Sequence, residues 1–574
     1  MNYLIFFVLV IGMSISTNMH ADQCLPRDKV KSISEIQGIT DSSPLTGQRV
    51  IIQGRIIANM QDRSKLKGIY VAEQPERSHL NPDSSSGIFM YLPASHSYSP
   101  KKFTLKTGQS IQITGRIKEH YGLTELTQIS EILLCASDNQ RPYIKILNSI
   151  DTRTLESAEG MLVRINQPWI SGNKDLGRYG EVQLSIGDPL STGKRVKQET
   201  LVLSMGEKPS IRPLFPHSTD ARIGTKLKPI TGIIHFGYGK YWLIPTLPVE
   251  IEDAFRPEKP YQPEHYRLSL VHLNIKNLFN GTGDGKGFPT TRGARSFTEY
   301  QFQLAKLALN FNEINANIIA LSELENDGYG SESAIADLVD AINSNREDNH
   351  YKYASLSQKD ANQSTDAITQ GVLYQTDFID INEVKFLSLQ SSNYPARPAF
   401  LVKGEIKNSR QTFQIAVIHL KSRARPCSED IAPKKDAEPT EGNCHQRREN
   451  QMKTLLDQLQ PSPGIDLIIG DFNAYPKERP LVMAKQKGWM RTEELEHQMN
   501  GIPLRIDYTY VFNDQPVILD HMLLHQRDQH LFLKRFDWHI NAAEASRVTK
   551  EEQISNRISR YRSSDHDPNV LYLK

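Results

Sequence analysis

The periodicity of the chain changes once, at residues 254–266 (AFRPEKPYQPEHY), and that change limits the fold more than any other feature. Three prolines and mixed charges make this stretch a linker rather than an element, with 256–264 as its centre. Ahead of it the chain offers only short alternating apolar runs, and no long 3.6-residue period. Behind it, runs of strand length (LSLVHLNI, ANIIALSEL, QIAVIHL, IDLIIGDF, VILDHMLL) alternate with the helical patterns SFTEYQFQLAKLALNFNEI and QRRENQMKTLLDQL. A sheet that feeds helices in this way must bury them on its faces. The expectation is a multidomain chain: all-β units first, then an α/β layered domain over 265–574. A length of 574 residues is too long for one ordinary core and agrees with that division.

The first half carries its own repeat. GQRVIIQGRI from Gly47, GQSIQITGRI from Gly108 and GTKLKPITGII from Gly224 each place a glycine, an alternating apolar run and a second glycine. Alternation describes a half-buried strand, and the inner glycine suits a bulge or a tight barrel bend. With KGIYVAEQ, SGIFMYL and LTELTQISEILL between Ser/Pro/Asn/Gly turns, about five short strands result, the count of a small closed barrel of the OB type. Residues 22–140 are expected to form it. Residues 141–255, with EGMLVRI, GRYGEVQLS and IHFGYGKYWLIPT, are expected to form a second β-rich, OB-like unit.

The chain opens MNYLIFFVLVIGMSISTNMHADQC. An apolar core over Tyr3–Met13 followed by polar residues and Ala21 has the layout of a signal peptide over 1–21, so the mature protein is expected to be secreted and extracellular, with periplasmic transit. The run is too short to span a bilayer, and no later segment approaches about 18 apolar residues, so no membrane insertion of the mature chain is expected. Four cysteines allow three pairings. The economical one joins Cys24 to Cys135 around the first β unit and Cys427 to Cys444 across a polar insertion. Zinc is the competing use, but no Cys-x-x-Cys spacing supports it. A net charge of +2 gives no global attraction for a polyanion, so any such attraction must come from local patches or a bound metal.

In the second half, polar residues recur where apolar strands end, the place where loops carry chemistry. Asn274 ends LVHLN, Glu323 follows IIALS, His419 follows IAVI, Asp471 and Asn473 follow LIIG, Asp520 follows VIL, and Asp565–His566 precede VLYL. Each alone is ordinary: Asp-x-Asn after a strand makes turns, His419 would serve as a core histidine, Glu323 as a surface carboxylate, and Asp565-His566-Asp567 as a solvated turn. As an ordered set they supply carboxylates, amides and two imidazoles, an oxygen-rich combination suited to Mg2+ or Mn2+, with Ca2+ as a further candidate.

That order resembles the endonuclease/exonuclease/phosphatase superfamily, the pancreatic-deoxyribonuclease-like phosphohydrolases. The marks are HLNIKNLF, ALSELEND, DAITQGVLY, ARPAF, IHLKSR, IIGDFNAYP, LDHML and SSDHDPNV. SELEND, HLKS and LDHML are similar to its large secreted bacterial nucleases, which carry an OB-like domain ahead of the catalytic one. The resemblance implies a four-layer β-sandwich for 265–574. It implies that Asn274, Glu323 and Asp565 gather around a metal, with Glu323 the direct carboxylate ligand. Asp471 and Asn473 would hold the nucleophilic water, the phosphate or a second metal. His566 would be the general base, oriented by Asp520. His419 would contact the phosphate or assist the leaving group, steered by Asp366, and Arg397 would clamp the phosphate. Where those relatives show Asn before the HLKS histidine, this chain has Ile418. Asp567 receives no role.

Two basic or aromatic stretches stay open. The insertion between Ser422 and Arg447 holds Arg423, Arg425, Lys434 and Lys435, and reads equally as a backbone-binding loop or as a solubilising excursion, since Glu429, Asp430, Asp436 and Glu438 offset it. Tyr238, Tyr241 and Trp242 suit a β-domain core better than a base-stacking platform. The functional expectation is a secreted metal-dependent nuclease acting on DNA, and on RNA as a further substrate, leaving 5′-phosphate ends, and a monomer. The alternatives are a phosphohydrolase of the same scaffold acting on nucleotides or phospholipids, and a non-catalytic nucleic-acid-binding protein.

Overall fold

The structure is a computed structural model that describes residues 24–73, 83–93, 104–135, 141–190, 201–207, 213–215, 221–254, 256–259, 261–344, 346–347, 350–357, 360, 363–390, 396–428, 442–501, 508–545 and 559–574. The expected leader over 1–21 and Lys434 and Lys435 lie outside them. Among the described residues no helix is long and apolar enough to cross a membrane. They divide into two compact units. One gathers the described residues of Met1–Asn166, Glu199–Arg212 and Pro229–Pro248; the other gathers those of Gln167–Gln198, Pro213–Lys228 and Val249–Lys574. The 141–255 stretch therefore contributes strands to both.

In the first unit, β1 (Arg49–Met60), β2 (Gly68–Ala72), β3 (Gly87–Tyr91), β4 (Ser110–His120) and β5 (Leu123–Leu134) close into a barrel in the order β1-β2-β3-β5-β4. Alternation drives the closure: Ile52, Ile69, Val71, Ile88, Met90, Ile113 and Leu126 point inward and are fully buried. The inner glycine of the second repeat sits at a register shift between Thr114 and Arg116. A Cβ on Gly115 would lie 2.9 Å from both Leu126 Cγ and Ile129 Cδ1, so the barrel can bend there only without a side chain. Cys24 and Cys135 form a disulfide with a Cα–Cα distance of 5.5 Å. In the same unit, strand Ile230–Gly237 runs antiparallel to Leu162–Ile165 and to Lys240–Pro245, which pairs in parallel with Leu201–Ser204. Trp242 and Tyr241 are buried there, whereas Tyr238 is 80% exposed and stacks on Trp242 at 5.7 Å. His235 is buried with its Nδ1 2.9 Å from the Tyr70 hydroxyl, and burial pushes its imidazole down to about 3.

The second unit contains two six-stranded mixed sheets. The first orders Tyr351–Tyr353, Ile368–Gln375, Ile318–Glu325, Leu268–Leu278, Asn569–Leu573 and Phe532–Asp537; the second orders Ile379–Leu387, Ala399–Ile406, Gln411–His419, Ile465–Asp471, Asp520–His525 and Trp489–Arg491. Their inner faces meet through Leu270, Ile318, Val372, Phe400, Ile415, Leu467 and Met522. Helices Phe297–Ile314 and Ala334–Asn343 cover the outer face of the first sheet through Leu307, Phe311, Ile335 and Leu338. Helices His445–Gln458 and Arg479–Gln486 cover the other through Met452, Leu455 and Leu481. The result is four layers, helix–sheet–sheet–helix. Ile418 belongs to the outer core cluster of the second sheet and is fully buried, so an apolar residue there serves packing. Strands Pro168–Gly172 and Glu181–Ile186, an antiparallel pair, also belong to this unit.

Candidate active site

Two crossovers bring the polar strand ends together. Leu268–Leu278 and Ile318–Glu325 are parallel and are joined through the helix Phe297–Ile314. Gln411–His419 and Ile465–Asp471 are parallel and are joined through His445–Gln458. A parallel pair necessarily ends at one edge, the edge at which α/β sheets place ligands. In the second sheet His419 pairs with Asp471, and Asp471 with Asp520, so three chemistry-bearing residues stand in one cross-strand row. In the first sheet the register shifts between Asn274 and Leu278 and between Leu321 and Leu324. These irregularities re-aim side chains, and Glu323 takes a left-handed φ of 64° beside them.

The rows meet across the gap between the sheets. Asn274 Nδ2 donates to Asp471 Oδ2 at 3.2 Å, and His419 Nε2 lies 3.6 Å from the same oxygen. Asn473 has φ 47°, donates its backbone N–H to Asp471 Oδ1 at 2.8 Å, and donates its amide to the Leu420 carbonyl at 3.2 Å. His566 Nδ1 is 2.7 Å from Asp520 Oδ2. Burial alone would lower the His566 imidazole, but Asp520, Asp471 and Asp565 together push it up. Burial would raise Asp520, yet His566 holds it low. Asp471 is pushed up by burial and by Asp520, with Glu323 adding to the effect. Burial likewise would raise Asp565, but Lys276, His566 and Arg562 keep it ionised.

Several placements were not legible in the sequence. His272 is fully buried with Nδ1 3.5 Å from Asp520 Oδ1 and Nε2 3.0 Å from Ser322 Oγ. Burial pushes it down to about 4, so it is neutral. It reads as one more position of a strand alternation, and only the register reveals it. Asn277 Nδ2 donates to Glu323 Oε2 at 2.8 Å. The Tyr510 ring lies 4.6 Å from that of His566; the Asn-Asp pair after TYVF was an available hairpin signal. Asp366 sits against Arg397 Nη1 at 3.0 Å and Arg292 at 3.5 Å. Arg397 donates to the carbonyls of His419 and Leu420 at 3.1 and 2.9 Å, which places Asp366 behind Arg397. Asp567 accepts from the backbone N–H groups of Asn541 and Ala542 and lies 3.1 Å from His539 Nδ1. It is an anchor for the 539–542 loop.

Asp471, Asp520 and His566 offer atoms within 4.8 Å of one another, as a metal would require. Asp520 is engaged by His566, while Asp471 is met by the Asn274 amide and feels the charge of Glu323; buried carboxylate oxygens of this kind suit a hard divalent cation. Beyond His419, a cavity of about 350 Å³ is lined by Lys421, Arg425 and Arg447 beside the Cys427–Cys444 disulfide.

A family model described as a domain of unknown function, DUF8508, matches residues 148–253. No curated protein matches the chain. Solved structures similar to it include a mannosyl-6-phosphatase from Bacteroides thetaiotaomicron, at 14% identity and TM-score 0.34, covering 54% of this chain and 99% of that one. The human Nocturnin catalytic domain with bound sulfate has 14% identity and TM-score 0.32, covering 54% and 94%. D. rerio TDP2 with a single-strand DNA product has 13% identity and TM-score 0.33, covering 54% and 98%. At these scores the likenesses carry no argument about activity.

Proposed function

We propose that the chain is a secreted, metal-dependent phosphodiesterase of the endonuclease/exonuclease/phosphatase type that hydrolyses nucleic acid, with DNA as the principal substrate and RNA as a further one. The observation that carries this reading is the convergence of a buried Asp520–His566 pair, 2.7 Å apart, with Asn274, Glu323, His419, Asp471 and Asn473 where strand ends of the two sheets face each other. A divalent cation held by Glu323, Asp565, Asp471 and Asn274 would neutralise phosphate charge and stabilise the leaving oxygen. The chain supplies the rest. His566 takes the proton of the attacking water, and Asp520 fixes the tautomer that exposes Nε2. Asp471 and Asn473 hold the water and a phosphate oxygen. His419, kept neutral by burial and by the charge of Arg397, sits on the leaving-group side. Arg397, Arg292 and Lys421 add positive charge where a phosphate must lie.

The order β1-β2-β3-β5-β4 supports an OB-type reading of the barrel, a fold suited to nucleic-acid strands. Disulfides in the structure agree with an exported protein. The deciding experiment incubates purified protein with plasmid DNA, RNA, mononucleotides and sphingomyelin, with Mg2+, Mn2+, Ca2+ or EDTA. Plasmid cleavage that EDTA abolishes and Mg2+ or Mn2+ restores is expected. Hydrolysis of nucleotide or lipid with intact plasmid would overturn the nuclease reading.

A further inference from the structure

The hairpin of Tyr510–Phe512 and Gln515–Val517 is tied at both ends. At its base, Thr509 Oγ1 accepts from the backbone N–H groups of Leu519 and Asp520 at 3.1 Å each, and the Thr509 carbonyl accepts from Asp567 N at 2.8 Å. Tyr510 forms an antiparallel bridge with His566 and lays its ring on the imidazole at 4.6 Å. Burial raises the Tyr510 phenol, with Asp565, Asp471 and Glu323 acting in the same direction and Arg562 against them. The base of the hairpin therefore holds both members of the His566–Asp520 pair.

At the tip, Asn513 and Asp514 have φ 49° and 64°, the two left-handed positions of a type I′ turn, where glycine is favoured at the second. An aspartate there bears backbone strain, and its side chain explains why it is used. Its buried carboxylate accepts from Asn173 N at 2.9 Å, Lys174 N at 3.1 Å and Gln183 Nε2 at 3.0 Å, with Lys174 Nζ at 3.8 Å. A Cβ on Gly172 would lie 2.5 Å from Asp514 Cγ, so the neighbouring strand approaches as closely as a missing side chain permits.

We infer that the strand pair Pro168–Gly172 and Glu181–Ile186 is a brace for the active site: by gripping Asp514 it fixes the hairpin that positions Tyr510, His566 and Asp520. This gives part of the stretch matched by a domain of unknown function a task within the second unit. Asp514 is a positioning residue. Its effect on turnover rests on the reading of the site given above, whereas its grip on the hairpin does not.

Asp514→Gly separates the two, because glycine keeps the turn and removes the grip. The expected result is a fall in kcat of about tenfold or more, since small misplacements of reacting groups are costly, with KM within about twofold. Amide hydrogen exchange at Leu519, Asp520 and Asp567 should accelerate together. Gln183→Ala, which takes one bond from the other side of the contact, should shift both readouts in the same direction by less, and carries the test should the glycine variant not fold. Unchanged exchange at those three amides in both variants overturns the brace. Accelerated exchange with unchanged kcat overturns its catalytic role. A wild-type protein that hydrolyses no phosphodiester defeats the functional reading, while the exchange arm still decides whether the grip exists.

Discussion

At the scale of single residues, the site turns on which oxygen of Asp520 each imidazole addresses. His566 takes one at 2.7 Å and His272 faces the other at 3.5 Å. A buried carboxylate faced from both sides keeps its orientation and its charge. His566→Ala and Asp520→Asn are each expected to lower kcat for plasmid cleavage by about 10²–10⁴, the range for a lost general base or its orienting partner. Tm should fall for His566→Ala as well, because the fully buried Asp520 loses its partner, so kcat is read at a temperature where the variant is folded. His272→Ala should cost less, about tenfold in kcat, and His272→Gln should recover part of it, because the amide can donate toward Asp520. Equal losses in the two His272 variants would refute a donor role. The residues that meet at the strand ends were legible because the apolar runs before them mark where strands stop. His272 was not, since its partner is 248 positions away and only sheet register shows the encounter. Asp366 was read as steering His419 and Arg397 as a phosphate clamp; that the two pair with each other, and that Arg397 holds the His419 and Leu420 carbonyls, shows only in the structure.

At the scale of elements, strand Asn569–Leu573 carries more than its length suggests. It lies between Leu268–Leu278 and Phe532–Asp537, antiparallel to both, with Val570, Leu571 and Leu573 fully buried. Leu571→Ala should cost about 2–5 kcal/mol of stability in the second unit, measured by denaturant unfolding. Removing residues from Ser563 onward should abolish hydrolysis by unfolding that sheet, seen as a lost thermal transition and protease sensitivity, and not merely by deleting Asp565 and His566. The element types of the second half were legible because 3.6- and 2-residue periods differ plainly in long runs. The 510–517 hairpin was not read, since three-residue strands leave too little pattern, and its Asp514 gains meaning only from Asn173, Lys174 and Gln183.

At the scale of the molecule, acid should act on the first unit through His235. Its folded value near 3 lies below the ordinary histidine value, so the unfolded chain binds the extra proton. Stability from this group is complete above about pH 6.5 and is lost toward pH 3 at about 1.4 kcal/mol per unit. Glu159, buried in the same unit and raised well above the carboxylate range by burial, works with the opposite sign. The observable is therefore the difference between wild type and His235→Gln, which should narrow by that slope on acidification; a constant difference would refute it. The division into β-rich and layered parts was legible from the change at 254–266, but the compact units were not, since Pro168–Gly172 and Glu181–Ile186 group with the layered part while Leu201–Ser204 belongs to the first unit. The first sheet of the layered part also sets a clock. Leu268 pairs with Leu573, and His566 stands just ahead of the strand Asn569–Leu573, so in a chain emerging N-terminus first His566 meets Asp520 only after that strand has been made and can pair. Formation of the Asp520–His566 pair therefore waits on completion of the first sheet, and no shorter, nascent form of the chain holds it.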